Sequence, residues 1–379
     1  MNILLMPFVD VLLNKFCSRD LSNVRIIGVQ HILETTHAMF QYLYQYGLRP
    51  QNISLLGKCY STCKDVFNEM KKDGIDVSPG SFSYQSHKQF DTLFNNEVHI
   101  FLQQRLPELV KTDYEVIIVL DDGGKCIHVI SKFYDKLSLQ IVAIEQTSAG
   151  YHNIKNAHLP FPVINVARSP TKLTYESPMI AQAGAERLYK SLRAKNIYSN
   201  SVLIIGGGPI GQAMKTHLKE EMAVSMYDES SLLSDFNKKI SDILPEFDLI
   251  IGCTGRTSII KEYHELFAKN AVLVSMSSSD REFDSVHLRK KIRSNCDCHR
   301  DLLIENRLLV NSGFPVNFDG DRENIETDKI QLTIALIAAG ILQALEPSCY
   351  VQNRLLPLER KYEEFIKCLY LESPILASN

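Results

Sequence analysis

The sequence predicts an α/β protein built as two doubly wound parallel-sheet domains, and three observations predict it. Short apolar, β-branched runs recur along the chain, segments of helical length and periodicity separate them, and a long helical pattern near residues 178–195 divides the series into two. Strands buried on both faces of a parallel sheet read as near-continuous apolar runs, and their alternation with helices is the rhythm of βαβ units. A chain of 379 residues has room for two cores. The expected boundaries are 1–177 for the first domain and 178–330 for the second. Residues 331–379 read as C-terminal helices that either return to the first domain or form a subunit contact.

Residues 1–16 are apolar but lack a basic start, carry Asp10 inside the run and offer no small-residue cleavage site. They therefore read as a helix and not as a signal peptide, with Leu4, Leu5, Phe8, Val9, Leu12, Leu13 and Phe16 on one face. Runs at 25–29, 53–57, 116–121, 141–145 and 163–167 read as strands, with helical patterns at 33–47 and 98–111 between them. After the long helical pattern, strands are expected at 202–206, 223–228, 249–255, 271–276 and 307–313. The apolar run 330–345 is too short for a bilayer and suits a buried helix. The amphipathic pattern at 358–371 fits either core packing or a subunit contact.

The composition, 45% apolar and 22% charged, is that of a globular chain. A net charge of -3 gives no bulk electrostatic reason to expect nucleic acid. A small molecule is the expected ligand, with neither nucleic acid nor membrane as partner, and a homo-oligomer (dimer or tetramer) is the expected assembly. Nine scattered cysteines do not form a disulfide framework, so a reducing cytoplasm is expected. Cys296-Asp297-Cys298-His299 has the wrong spacing for paired zinc ligands and no second pair follows; it reads as surface residues, and no metal is expected.

The strongest chemical signal is Gly206-Gly207-Gly208-Pro209-Ile210-Gly211, a G-x-G-x-x-G pattern between a strand and a helix. Glycines permit the tight turn and close backbone approach that seat a pyrophosphate on a helix N-terminus, the Rossmann arrangement. Asp228, 20 residues past Gly208, closes the next strand, where a carboxylate accepts bonds from the adenosine ribose. Glu229 adds a second negative charge and no Arg follows at once, which favours NAD over NADP. The alternative is a structural glycine turn beside a solvated acidic strand end.

Four segments, in order, resemble the S-adenosylhomocysteine hydrolase family. Leu120-Asp121-Asp122-Gly123-Gly124 is similar to Leu-Asp-Asp-Gly-Gly-Asp, and residues 145–152 (EQTSAGYH) to Glu-Glu-Thr-Thr-Thr-Gly-Val-His. Ile164-Asn165-Val166 with Ser169-Pro170-Thr171-Lys172 resembles Ile-Asn-Val and Ser-Val-Thr-Lys; the nucleotide loop, Thr254-Gly255 and Leu309-Val310-Asn311 follow at family-like positions. Tyr60-Ser61-Thr62 resembles Phe-Ser-Thr, and the likeness spans about residues 25–345.

The resemblance implies a redox-assisted elimination in which bound NAD takes hydride from a ribose carbon, a thiol leaves, water adds and the hydride returns. It implies that Lys172 deprotonates the oxidised hydroxyl, which needs a lowered pKa, and that Glu176 stands in for an Asp that holds the hydroxyls. Asp122 matches a substrate-site aspartate, Thr147 and Ser148 match cofactor contacts, Thr254 and Gly255 lie in the cofactor loop, and Asn311 matches the asparagine at the nicotinamide amide. Plainer readings are a turn former for Asp122, a surface lysine for Lys172 and a core-turn residue for Asn311.

The departures count as much. Gln146 replaces a substrate-site glutamate, Lys125 replaces an aspartate, and Ser277-Ser278-Ser279-Asp280 replaces Gly-His-Phe-Asp. Phe314-Pro315-Val316 stands where Gly-His-Pro is expected, and the tail lacks the family's Lys-Pro-Asp-His-Tyr-Arg-Tyr ending. Gln30 takes the place of a histidine, with His31 one position along as a candidate substrate contact. General acid–base groups contribute ~10²–10⁴-fold each, so losing several argues against ordinary hydrolysis. The expectation is NAD-dependent hydride transfer at a hydroxyl of a nucleoside- or sugar-like molecule. The alternatives are a catalytically silent NAD or adenosine-metabolite sensor or partner subunit, and hydrolysis rebuilt on His31 or His152.

Overall fold

The structure is a computed structural model and describes residues 3–111, 114–133, 140–292, 296–351 and 354–373. The chain forms two compact α/β units, one of residues 1–83, 94–176 and 326–379, the other of residues 84–93 and 177–325.

In the first unit, seven parallel strands run β1 (Val24–Val29), β2 (Ile53–Leu56), β3 (Asp76–Val77), β4 (Val116–Asp121), β5 (Ile141–Glu145), β6 (Val163–Asn165) and, from the C-terminal segment, a final strand Leu355–Pro357. Across the sheet this last strand comes first and is followed by β6, β5, β4, β1, β2 and β3. The order reverses between β1 and β4, so the two chain directions diverge there and leave a crevice at the strands' carboxyl ends, where open α/β sheets bind ligands. The five expected strands are present; the two added ones are three residues or fewer and lie at the sheet edges. The run 163–167 leaves extended structure after Asn165, whose side chain accepts from the Arg168 N–H at 3.2 Å and bends the chain into a 3₁₀ turn.

Helices α1 (Pro7–Phe16), α2 (Glu34–Tyr44), α3 (Lys64–Asp73), α4 (Phe90–Lys111), α5 (Lys125–Ser131), α6 (Ser148–Ile154) and α7 (Pro170–Ala194) precede the second sheet. Phe8, Val9, Leu12 and Leu13 of α1 are buried as the periodicity predicts. Helix α4 begins eight residues ahead of its expected start, and α7 begins at Pro170, because a proline at the first helical position loses no hydrogen bond.

The second sheet is formed by β7 (Ser201–Ile205), β8 (Ala223–Tyr227), β9 (Leu249–Gly252), β10 (Val272–Ser275), β11 (Leu302–Ile304) and β12 (Arg307–Leu309), in the order β11-β12-β10-β9-β7-β8. It is parallel except for β11–β12, and its reversal lies between β7 and β9. Helices α8 (Pro209–Leu218), α9 (Ile240–Ile243) and α10 (Ser285–Arg289) belong to this unit, with apolar cores on both sheet faces.

Two helices then rejoin the first unit. Helix α11 (Thr327–Ala344) is buried from Ile330 to Ala344 and packs on β5 and β6. Helix α12 (Arg360–Leu371) sets Tyr362 and Phe365 edge-on to Phe16 of α1. The edge strand Leu355–Pro357, β13, lies between them in sequence. No helix among the described residues is long and apolar enough to cross a membrane.

Candidate functional site

At the switch point of the first sheet, the residues just past the strand ends converge. Gln30 and His31 follow β1, Lys58 follows β2, Asp122 follows β4 and Gln146 follows β5. The Asp122 carboxylate receives the Lys58 ammonium, His31 Nε2 at 3.1 Å and Gln146 Nε2 at 2.9 Å. Gln30 Nε2 donates to Gln146 Oε1 at 2.9 Å, and Ser61 Oγ lies 2.6 Å from His31 Nδ1. Burial by itself would raise the Asp122 pKa; the Lys58 ammonium and His31 outweigh it and hold the carboxyl well below its usual range. Lys58 shows the mirror effect, with burial opposing and Asp122 raising its pKa. Asp122 is thus a fixed anion. The Asp122 side chain is 2% exposed and that of His31 26%, so His31 is the member of this pair that solvent reaches.

Beneath this cluster lies a second pair of acids. Asp121 and Glu145 are directly opposite in the β4–β5 register and both are fully buried. Glu145 Oε1 accepts from the Thr147 N–H (2.8 Å), the Thr147 hydroxyl (2.6 Å) and the Gly123 N–H (3.2 Å); Asp121 Oδ2 accepts from the Ile127 N–H at 2.9 Å. Asp121 Oδ1 and Glu145 Oε2 have no hydrogen-bond partner among the described residues. Burial first, then repulsion from Asp122, pushes the Asp121 pKa up to about 7, and burial first, then repulsion from Asp121, raises Glu145 well above the carboxylate range. Two adjacent buried carboxyls of this kind titrate as one unit and retain a proton.

Lys172 and Glu176 sit on the first two turns of α7 as an i,i+4 ion pair, and the Thr333 hydroxyl of α11 donates to Glu176 Oε1 at 3.1 Å. Lys172 is buried, so the reading of it as a surface lysine fails. Strand β6, which leads to α7, is two places from β4, a separation of about 10 Å between strand ends. Glu363 of α12 caps α7, accepting from the Thr171 N–H at 2.7 Å and the Ser169 hydroxyl at 2.8 Å. That carboxylate already fills the anion position beside a cavity of about 470 Å³ between α7 and α12.

In the second unit, Gly206 follows β7 with φ +107°, and Gly208 precedes Pro209, the first residue of α8. A Cβ at Gly211 would stand 1.9 Å from the Gly206 carbonyl oxygen, so only glycine lets α8 approach the loop. At Gly208 and Gly255, which flank the switch point, a Cβ would meet nothing within 4 Å among the described residues. The loop therefore leaves open space where a pyrophosphate fits against the helix start. Asp228 Oδ2 accepts from the Gly207 N–H at 2.7 Å and Oδ1 from the Ser230 N–H at 2.8 Å. A carboxylate has about four acceptor positions, so two remain for ribose hydroxyls. The open space and the spare acceptor positions suit a dinucleotide.

Thr254, Gly255, Asn311 and Thr147, also expected at the cofactor, are engaged within the protein. Thr254 N–H (2.6 Å), Gly255 N–H (2.7 Å) and Ser277 Oγ (2.5 Å) all donate to Oε1 of buried Glu282, while Thr254 and Ser258 hydroxyls donate to Oε2 at 2.8 Å each. Asn311 is buried at φ +53°, its amide donating to the Pro315 and Phe318 carbonyls at 2.8 and 2.7 Å. Thr147 is the N-cap of α6, and Ser148 is exposed on the first turn.

One expectation needs correction. Cys296 and Cys298 are buried, not on the surface, because Cys296 joins the apolar core beneath the sheet. Asp297, Cys298 and His299 hold their ligand atoms within 4.8 Å of one another, but the Asp297 carboxylate also accepts from the His299 N–H at 2.8 Å, as a turn former does. An arginine also reaches the acidic strand end through space, Arg256 Nη2 lying 2.7 Å from Glu229 Oε2. Lys58, Glu282, Thr333 and Arg256 escaped the sequence reading. Lys58 alone left a signal there, as a lone charge at the carboxyl end of an apolar strand.

No protein-family model matches the chain. Two uncharacterized proteins of Mycobacterium tuberculosis, one from each of two strains, are each 41% identical over 345 residues, covering 89% of this chain and 67% of the relative. A solved structure of Entamoeba histolytica 3-phosphoglycerate dehydrogenase with NAD+ bound is 13% identical at a TM-score of 0.44, covering 88% of this chain and 100% of that one. A likeness at that level carries no argument about ligand or reaction. On the identity and coverage of the mycobacterial relatives, the chain belongs to the same family as these uncharacterized proteins.

Proposed function

We propose that the chain binds NAD on the Gly206–Gly211 loop and uses it for hydride transfer at a hydroxyl of a nucleoside- or sugar-like small molecule. The observation that carries this reading is the open glycine cradle at the start of α8, with Asp228 beside it and acceptor positions to spare. NAD, when bound, supplies the hydride acceptor. Among the chain's own groups, the Lys172–Glu176 pair manages the hydroxyl proton at Lys172 Nζ, and Thr333 fixes Glu176 in place. Asp122, held ionised, orients the ligand and does not deliver a proton. On this reading the likeness to the S-adenosylhomocysteine hydrolases is one of plan and cofactor. The Gln30–Gln146 amide pair stands where proton-moving groups are expected and cannot titrate.

Purified protein supplied with NAD and a panel of nucleosides should develop the absorbance of reduced nicotinamide, and Lys172→Ala should abolish it while leaving NAD affinity unchanged. A rate unaffected by that substitution removes Lys172 from the mechanism. Stabilisation by NAD without turnover on any ligand supports the sensor alternative instead.

One observation favours a second reading, hydrolysis rebuilt on a substitute histidine. His31 touches Asp122 at 3.1 Å and is partly open to solvent. Homocysteine released from adenosylhomocysteine by the wild type, and not by His31→Ala, would establish it.

A further inference from the structure

The acidic end of β8 is less negative in the folded chain than along the sequence. In the sheet order β9-β7-β8, the glycine loop leaves the central strand, and the segments following β8 and β9 stand on either side of it. Glu229 belongs to the first segment and Arg256 to the second, and their side chains meet at 2.7 Å. The pair is exposed, 60% for Arg256 and 71% for Glu229. Exposed pairs are weak, so this one yields readily to a stronger anion.

The backbone that carries Arg256 is held firmly. Its N–H donates to the Thr254 hydroxyl at 3.2 Å, and Thr254 is anchored on Glu282 through its own N–H and hydroxyl. A fixed base thus supports an exposed guanidinium within reach of the residue that follows Asp228, the expected ribose-binding carboxylate.

We propose that Arg256 forms a 2′-phosphate subsite, with Glu229 holding its guanidinium until a phosphate displaces it. Arg256 leaves Glu229 for the 2′-phosphate of a bound dinucleotide, and the chain therefore accepts NADP alongside NAD. The inference rests on the dinucleotide reading of the glycine loop and refines its ligand. A guanidinium presents several donors in a planar fork that suits phosphate, and charge-assisted bonds of this kind exceed an exposed ion pair.

Calorimetric titration of NAD and NADP into wild type, Arg256→Ala and Glu229→Gln tests it, with thermal melts to verify equal folding. Wild type should bind the two within roughly tenfold of each other. Arg256→Ala should weaken NADP by roughly tenfold to a hundredfold, the worth of one charged hydrogen bond, and leave NAD within about threefold. Glu229→Gln should tighten NADP selectively. An unchanged NADP-to-NAD ratio in Arg256→Ala, or a wild type that takes NAD and refuses NADP, overturns the subsite and spares the NAD reading. A wild type that binds neither overturns both.

Discussion

Asp122 and Lys58 show how a charge is kept inside an α/β sheet. Each is almost fully buried, and each is tolerated because the other is there. Removing one partner of such a pair strands the other and typically costs about 3–5 kcal/mol. Lys58→Met should therefore destabilise the chain by that order in urea melts, and adding Asp122→Asn should recover much of the loss; an additive double mutant would refute the pairing. The Asp121–Glu145 acids carry a separate, pH-dependent signature. Their folded-state pKa values are raised, so the folded chain holds a proton that the unfolded chain releases. Stability should fall as pH rises from about 4 through about 7, by up to ~1.4 kcal/mol per pH unit for each proton retained. Asp122 acts with the opposite sign, but its pKa is lowered, so its contribution is complete above about pH 4. Glu145→Gln removes one acid of the pair and should flatten the decline between pH 5 and 8; parallel wild-type and variant profiles would contradict the shared proton. The sequence displayed both acids, but the register that sets them face to face is a property of the sheet.

Among the elements, α7 carries most of the consequence. Its periodicity is plain from Pro178 onward, whereas the first two turns, bearing Lys172 and Glu176, read in sequence as a segment after a strand. Pro170 at the first helical position and the Glu363 cap together extend the helix backward. Glu363 lies 192 residues from Thr171, beyond any local pattern. Removing a capping side chain typically costs about 1 kcal/mol. Glu363→Ala should lower stability by that amount and should reduce turnover through Lys172 without altering NAD binding; unchanged turnover would show that Lys172 does not depend on the cap. The β11–β12 hairpin was illegible for a different reason. Its turn falls on Glu305 and Asn306, both at positive φ, and lacks the Asn-Gly or Asp-Gly pair that marks such turns.

For the whole molecule, ten of the strands among the described residues follow from apolar runs bounded by turns, the pattern that burial within a parallel sheet favours. Strand order is what converts them into sites, since it brings together the residues that follow strands distant in sequence. His31, Lys58, Asp122 and Gln146 meet at one reversal, and the glycine loop, Asp228 and Gly255 flank the other. The glycine motif was legible because its spacing is local; Glu282 and Arg256 were not, because they come from other strand ends. The central claim is that the loop at the second reversal is a dinucleotide cradle. Gly208 offers a clean block, since its φ of -68° suits any residue and a side chain there would enter open space. The measurement is calorimetry with NAD on cofactor-stripped wild type and on Gly208→Val. Heat of binding with the wild type, and none with a variant that melts at the same temperature, is the predicted result. A silent wild type, or a variant that binds NAD equally well, would contradict it.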